Sequence, residues 1–169
     1  TLQILAIFVL SVGFSHQGFG QRKVTVSTGI GLPELLNIGV RYQINRTQIG
    51  MNVGTWGMPT KDENILSILG DIRCHFGRPT ILSSRHPWYV RFGLGYVRDE
   101  SIKEINKYLL FISQIGVEAD SSKRFGVDIG LGAMFLMNSV EIQKIPHSHW
   151  ITFDYPVLPS LGIGLYYRL

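Results

Sequence analysis

An all-β chain closing into an antiparallel barrel of eight strands is predicted by three features of the 169-residue sequence. Apolar residues alternate with polar residues or glycine at period two in eight segments, no stretch has a helical period, and turn-forming residues separate the segments at even spacing. The composition suits a single domain, with 45% hydrophobic residues, 17% charged and 19 glycines spread throughout. That charge fraction lies below the roughly 25% usual for soluble domains, which argues against disorder and against a highly charged nucleic-acid binder. A single cysteine, Cys74, excludes a disulfide scaffold and a cysteine-built zinc site.

The segments follow in chain order. Residues 1–20 carry no charge, and Ile4–Phe14 is an apolar run too short to cross a bilayer as a helix. Gly18 and Gly20 follow it, then Gln21, so residues 1–20 read as a secretory signal peptide and 21–169 as the barrel. Val24–Ile30 is a first, weaker strand with Val24, Val26 and Ile30 on one face. Leu36–Ile44 sets Leu36, Ile38, Val40, Tyr42 and Ile44 against Asn37, Gly39, Arg41 and Gln43. Ile49, Met51 and Val53 oppose Gln48, Gly50, Asn52 and Gly54. Leu66, Ile68, Ile72, Cys74 and Phe76 oppose Ser67, Asp71, Arg73 and His75. Trp88, Val90, Phe92, Leu94 and Tyr96 oppose Arg91, Gly93 and Gly95. Leu109, Phe111, Ile115 and Val117 oppose Gln114, Gly116 and Glu118. Phe125, Val127, Ile129, Leu131, Ala133 and Phe135 oppose Gly126, Asp128, Gly130 and Gly132. Leu161–Leu169 places Leu161, Ile163, Leu165, Tyr167 and Leu169 against Gly162, Gly164, Tyr166 and Arg168. Strands of roughly nine to twelve residues, tilted, are also what crossing a bilayer requires.

Alternation leaves open which face lines the interior. Two arguments favour polar inside and apolar outside. The apolar faces carry too many large side chains for the interior of an eight-stranded barrel, which side chains only just fill. The polar faces are rich in glycine, which would only weaken a solvent-facing strand but makes room for arginine and tyrosine inside a narrow lumen. The predicted architecture is therefore an up-and-down transmembrane β-barrel with a polar, filled lumen. Tyr42, Phe76, Trp88, Phe125 and Tyr167 fall on the apolar face at one end of their strands, as an interfacial aromatic girdle needs. Turns at that end are short at Asn45–Thr47 and Asp120–Lys123, while the longest connection, Asn138–Pro156, falls at the other. Gly77–Pro87 and Leu32–Leu35 run against that asymmetry.

The last segment ends in Gly164-x-x-Tyr167-x-Leu169, which resembles the signal by which the outer-membrane assembly machinery recognises its barrels. Leu169 stands where the final aromatic is usual, and Gly162 where an upstream polar residue is usual. With the Gly20/Gln21 pattern, the chain resembles the small outer-membrane β-barrel family common in Bacteroidetes, similar in shape to OmpA/OmpX-like eight-stranded barrels. The resemblance implies an integral protein of a Gram-negative outer membrane. Its partners would be outer-membrane lipids, the barrel assembly machinery, and a periplasmic or cell-surface protein, with no nucleic acid and no cofactor. The favoured reading is a structural or interaction role through the outer loops, and eight strands filled by side chains leave no open pore. An outer-membrane lipid-modifying enzyme and a soluble lipocalin-like carrier of an apolar ligand are the alternatives.

Inside such a barrel, Arg41, Arg73, Arg91 and Arg168 face Asp71, Glu118 and Asp128, with His75. Near-balanced charge in a narrow lumen reads as an ion-pair network, because an unpaired buried charge is costly. His147-Ser148-His149 in the longest connection is the most catalytic-looking cluster. Neighbours on an extended segment point to opposite faces, and two histidines are too few for a metal, so no catalytic or metal residue is assigned. On the expected periplasmic side Arg22, Lys23, Arg46, Arg78, Arg85, Lys123 and Arg124 stand against Asp120 alone, whereas the outer connections, with Glu34 among their acids, are net acidic. A basic inner rim suits anionic headgroups or an acidic partner.

Overall fold

The computed structural model describes residues 23–56, 63–79, 85–101, 104–143 and 156–169. The expected signal peptide and the His147-Ser148-His149 cluster lie outside them. Eight strands are formed: β1 (Val24–Leu32), β2 (Leu35–Ile44), β3 (Thr47–Thr55), β4 (Glu63–Phe76), β5 (Trp88–Ser101), β6 (Glu104–Asp120), β7 (Phe125–Gln143) and β8 (Val157–Arg168). Each pairs antiparallel with its neighbour in sequence, and β1 pairs with β8, so the sheet is a closed up-and-down barrel. Closure pairs the strands edge to edge around the barrel up to the Phe135–Val157 rung, above which the register of β7 continues with β6 alone. β1 starts and β8 finishes at one end, the base; the opposite end is the top.

The period-two pattern becomes two chemically different surfaces. Outward side chains such as Ile38 (62% exposed), Leu94 (55%) and Leu131 (59%) cover the wall, while inward Asp71 (4%), Arg73 (2%) and Arg91 (3%) are sealed inside. A soluble carrier barrel would have the reverse arrangement. Turn chemistry at the base is local. Asn45 adopts the left-handed conformation (φ 54°) in the two-residue turn between β2 and β3, which asparagine tolerates. Between β6 and β7 the Ser121 and Ser122 N–H groups donate to the Phe125 carbonyl, and Ser122 Oγ accepts from the Phe125 N–H.

Three expectations are corrected. The strands are not uniform: β1–β3 have 9 or 10 residues, whereas β5, β6 and β7 have 14, 17 and 19, so one wall stands taller at the top. In the added length, around Arg98–Glu100 and Asn106–Lys107, both faces carry polar groups, and the apolar alternation that marks a strand disappears. The β6–β7 register also shifts at Leu109/Leu110, where Met137 is the extra residue. Second, the lumen is not polar throughout. Leu69, Tyr108, Leu110, Ile112 and Met134 pack into an inward apolar cluster flanked by Val97, Leu136 and Leu158. Third, two acids assigned to the aqueous rims belong to the interior. Glu34, in the turn between β1 and β2, ion-pairs with Arg91, and Asp120 pairs with Arg168.

Candidate functional site

The inward positions of all eight strands converge on one ladder of charge. At the base, Arg168 from β8 lies 2.7 Å from Asp120 and 3.4 Å from Glu118, both on β6. The Tyr166 hydroxyl donates to Asp120 at 2.5 Å, and the Arg168 guanidinium lies 4.8 Å from the Tyr166 ring centre. Arg85, from the β4–β5 connection, folds back to Thr25 Oγ1 at 3.5 Å. Burial, then the neighbouring Arg168 charge, pull its guanidinium below its ordinary range, and Glu118 and Asp120 oppose that shift.

The centre is Asp128 on β7. It accepts from Arg41 (2.7 Å), Arg73 (2.6 Å) and the Tyr89 hydroxyl (2.6 Å), which arrive from β2, β4 and β5. Glu118 approaches the same arginines at 3.4 and 3.9 Å. Arg73 also lies over the Tyr89 ring, 4.6 Å from its centre. Towards the top, Asp71 accepts from Arg91 Nε at 2.6 Å and from Asn52 at 3.3 Å. Arg91 reaches Gln114 at 2.9 Å as well as Glu34. Gln114 donates to Ser160 Oγ, and Ser160 donates to the Leu32 carbonyl, tying β6 and β8 to the β1–β2 turn.

The structure thus brings Arg41, Asp71, Arg73, Arg91, Glu118, Asp128 and Arg168 into one chain of contacts. His75 sits beside it, with its ring 5.7 Å from Tyr89 and Nδ1 3.0 Å from the His86 carbonyl. The alternation pattern leaves Tyr89 out of this network, and Glu34, Asp120 and Arg85, expected at the rims, turn inward to join it. The inward parity of Tyr89, one residue from outward Trp88 and two from Arg91, was the available signal. Glycines make the space. A Cβ on Gly116 would fall on the Tyr89 ring and hydroxyl, and one on Gly126 on the Tyr166 hydroxyl, whereas one on Gly162 would meet nothing. Gly116→Ala is therefore expected to dislodge Tyr89 from Asp128 and destabilise the barrel by about 1–3 kcal/mol in urea unfolding, with Gly162→Ala near neutral. Equal stability of the two variants would contradict this packing.

Outside the barrel, Tyr42, Phe76, Trp88, Phe125 and Tyr167 form a band around the base, each 40–47% exposed. On β8, Gly164 faces inward while Tyr167 faces outward, and Leu169, just past the strand, is exposed. A cavity of about 20 Å³ lies between the ladder and the β1–β8 seam, lined by Ser27, Arg41, Arg91, Gln114 and Gly162. That holds about one water and no larger solute. Among the described residues no group of three or more His, Cys, Asp or Glu is placed to hold a metal.

No family model and no curated protein sequence matches the chain. Among solved structures it is similar to Acinetobacter baumannii CarO, at 11% identity and TM-score 0.48, covering 91% of this chain and 100% of that one. It is also similar to Neisserial surface protein A (NspA), at 12% identity and TM-score 0.45, covering 87% and 95% respectively.

Proposed function

We propose that the chain is an integral β-barrel of a Gram-negative outer membrane, with a filled lumen and no open pore. Its role is structural or interactive, through the connections at its top. One observation carries this reading: thirty large hydrophobic side chains are exposed on the strands of the barrel wall among the described residues. At several tens of Å² each they expose on the order of 2,000 Å² of apolar surface, severalfold the few hundred found on soluble monomers. Only acyl chains in contact with the whole circumference remove that much surface from water. The band from Leu36 to Ile44 on β2 spans ~27 Å along the strand, or ~20 Å once tilted, close to the ~25 Å of a lipid-facing band. The aromatic band at the base fits the headgroup boundary. In this reading the base, with its short turns after β2 and β6, faces the periplasm and the tall β5–β7 wall lies outside. Gly164 and Tyr167 on β8, with Leu169 just past it, are the residues proposed to engage the barrel assembly machinery.

A filled lumen makes the polar ladder a stabiliser, not a conduit. Arg73→Gln and Asp71→Asn are expected to lower the unfolding midpoint and to leave planar bilayers without conductance. A conductance gain with unaltered melting would contradict that role. The membrane reading itself is tested by gel mobility and solubility. The barrel should stay soluble only in detergent or lipid and should migrate faster unheated than boiled; a monomer stable in plain buffer would overturn the reading.

A further inference from the structure

The base carries a set of cations that the lumen does not use. Lys23, Arg46, Arg78, Lys123 and Arg124 are all exposed there. The acid expected among them, Asp120, is turned inward onto Arg168 and Tyr166. Among the described residues no acid pairs with Lys23, Arg46, Arg78 or Lys123, and Arg124 donates to the Tyr167 hydroxyl at 3.2 Å. An eight-stranded up-and-down barrel has four junctions at its base, about a quarter-turn apart. Here each holds a cation: Lys23 at the β8–β1 junction, Arg46 between β2 and β3, Arg78 between β4 and β5, and Lys123 with Arg124 between β6 and β7.

Height matters as much as circumference. Lys23 precedes Val24, the register partner of Tyr42; Arg46 lies four residues past Tyr42, Arg78 two past Phe76, and Lys123 and Arg124 immediately before Phe125. At ~3.3 Å per residue along a tilted strand, each charge lies within ~10 Å on the aqueous side of the aromatic band. The headgroup layer occupies roughly that depth outside the hydrocarbon. A charge set spread evenly around a cylinder at one height matches a planar anionic layer pierced by the barrel. A docked protein would instead meet charge gathered on one side or across the mouth.

From this ring we infer that the base of the barrel selectively binds anionic phospholipid headgroups of the periplasmic leaflet, which rests on the membrane reading above. The lysine and arginine nitrogens donate to headgroup phosphate oxygens, and Tyr167 helps hold Arg124 at the boundary. The attraction is electrostatic and exposed, so salt weakens it, with the Debye length falling to ~3 Å near 1 M.

The test uses the barrel in phosphatidylcholine vesicles with traces of spin-labelled phosphatidylglycerol or phosphatidylcholine, and reads the fraction of each label motionally restricted by the protein. Phosphatidylglycerol is expected to be preferred about threefold or more at low salt. The preference should vanish near 1 M salt and in the Lys23→Gln, Arg46→Gln, Arg78→Gln, Lys123→Gln variant, whose unheated gel mobility reports that it still folds. Equal restriction of both labels in the inserted wild-type barrel overturns the inference, as does a preference that survives in the variant. Binding of soluble polyglutamate without lipid preference also overturns it and assigns the ring to an acidic protein. Absence of any restricted lipid means that the chain is not in the bilayer, which fails the membrane reading and this inference with it.

Discussion

Asp128→Asn is expected to lower the unfolding free energy of the barrel by about 3–5 kcal/mol, measured by urea titration in vesicles or detergent. The substitution preserves shape and removes one charge. Two buried guanidiniums, Arg41 at 2.7 Å and Arg73 at 2.6 Å, then lose their nearest anion, and the one remaining side-chain oxygen can serve either them or the Tyr89 hydroxyl but not both. Glu118, at 3.4 and 3.9 Å, compensates in part, which puts the effect near the lower bound. The cost arises from stranding buried positive charge, so Arg41→Met together with Asp128→Leu should be milder than Asp128→Asn alone. An Asp128→Asn barrel as stable as the parent would show that the ladder is hydrated and weak.

Leu131→Arg is the second large effect. Leu131 is 59% exposed, six residues above the girdle residue Phe125, and so at ~15 Å along the membrane normal. That depth is the middle of the bilayer, where arginine on a barrel wall costs about 2–4 kcal/mol. On a water-facing wall the same change would fall within about 0.5 kcal/mol. Measured in vesicles, a loss of at least about 2 kcal/mol is expected; a neutral result would mean that Leu131 meets water.

How much of this is legible in the sequence follows from what fixes each feature. Strand number, face assignment and turn positions at the base depend on period-two alternation and on local turn residues, both carried by the residues themselves. The pairing of Arg41 and Arg73 with Asp128 joins β2, β4 and β7 across the barrel, and only closure brings those strands face to face. Parity put these side chains in one lumen but could not say which carboxylate met which guanidinium. Glu34 reads as a rim acid because nothing near it in the sequence signals an inward turn. Leu35 takes φ 61°, a conformation that costs a leucine about 1–2 kcal/mol and that no propensity would suggest. The tops of β5–β7 escape the alternation pattern because a strand with polar groups on both faces has no hydrophobic period. The apolar cluster of Leu69, Leu110, Ile112 and Met134 was hidden for a related reason: an apolar residue at an inward position is indistinguishable, by pattern, from a break in the alternation.

The central claim is that the apolar wall touches lipid. A nitroxide placed at Leu94→Cys in a Cys74→Ser chain, reconstituted into vesicles, tests it directly through collision rates with oxygen and with a water-soluble nickel chelate. Oxygen, which concentrates in hydrocarbon, should relax the label strongly while the chelate barely reaches it; chelate access equal to or above that of oxygen would put Leu94 in water and contradict the account.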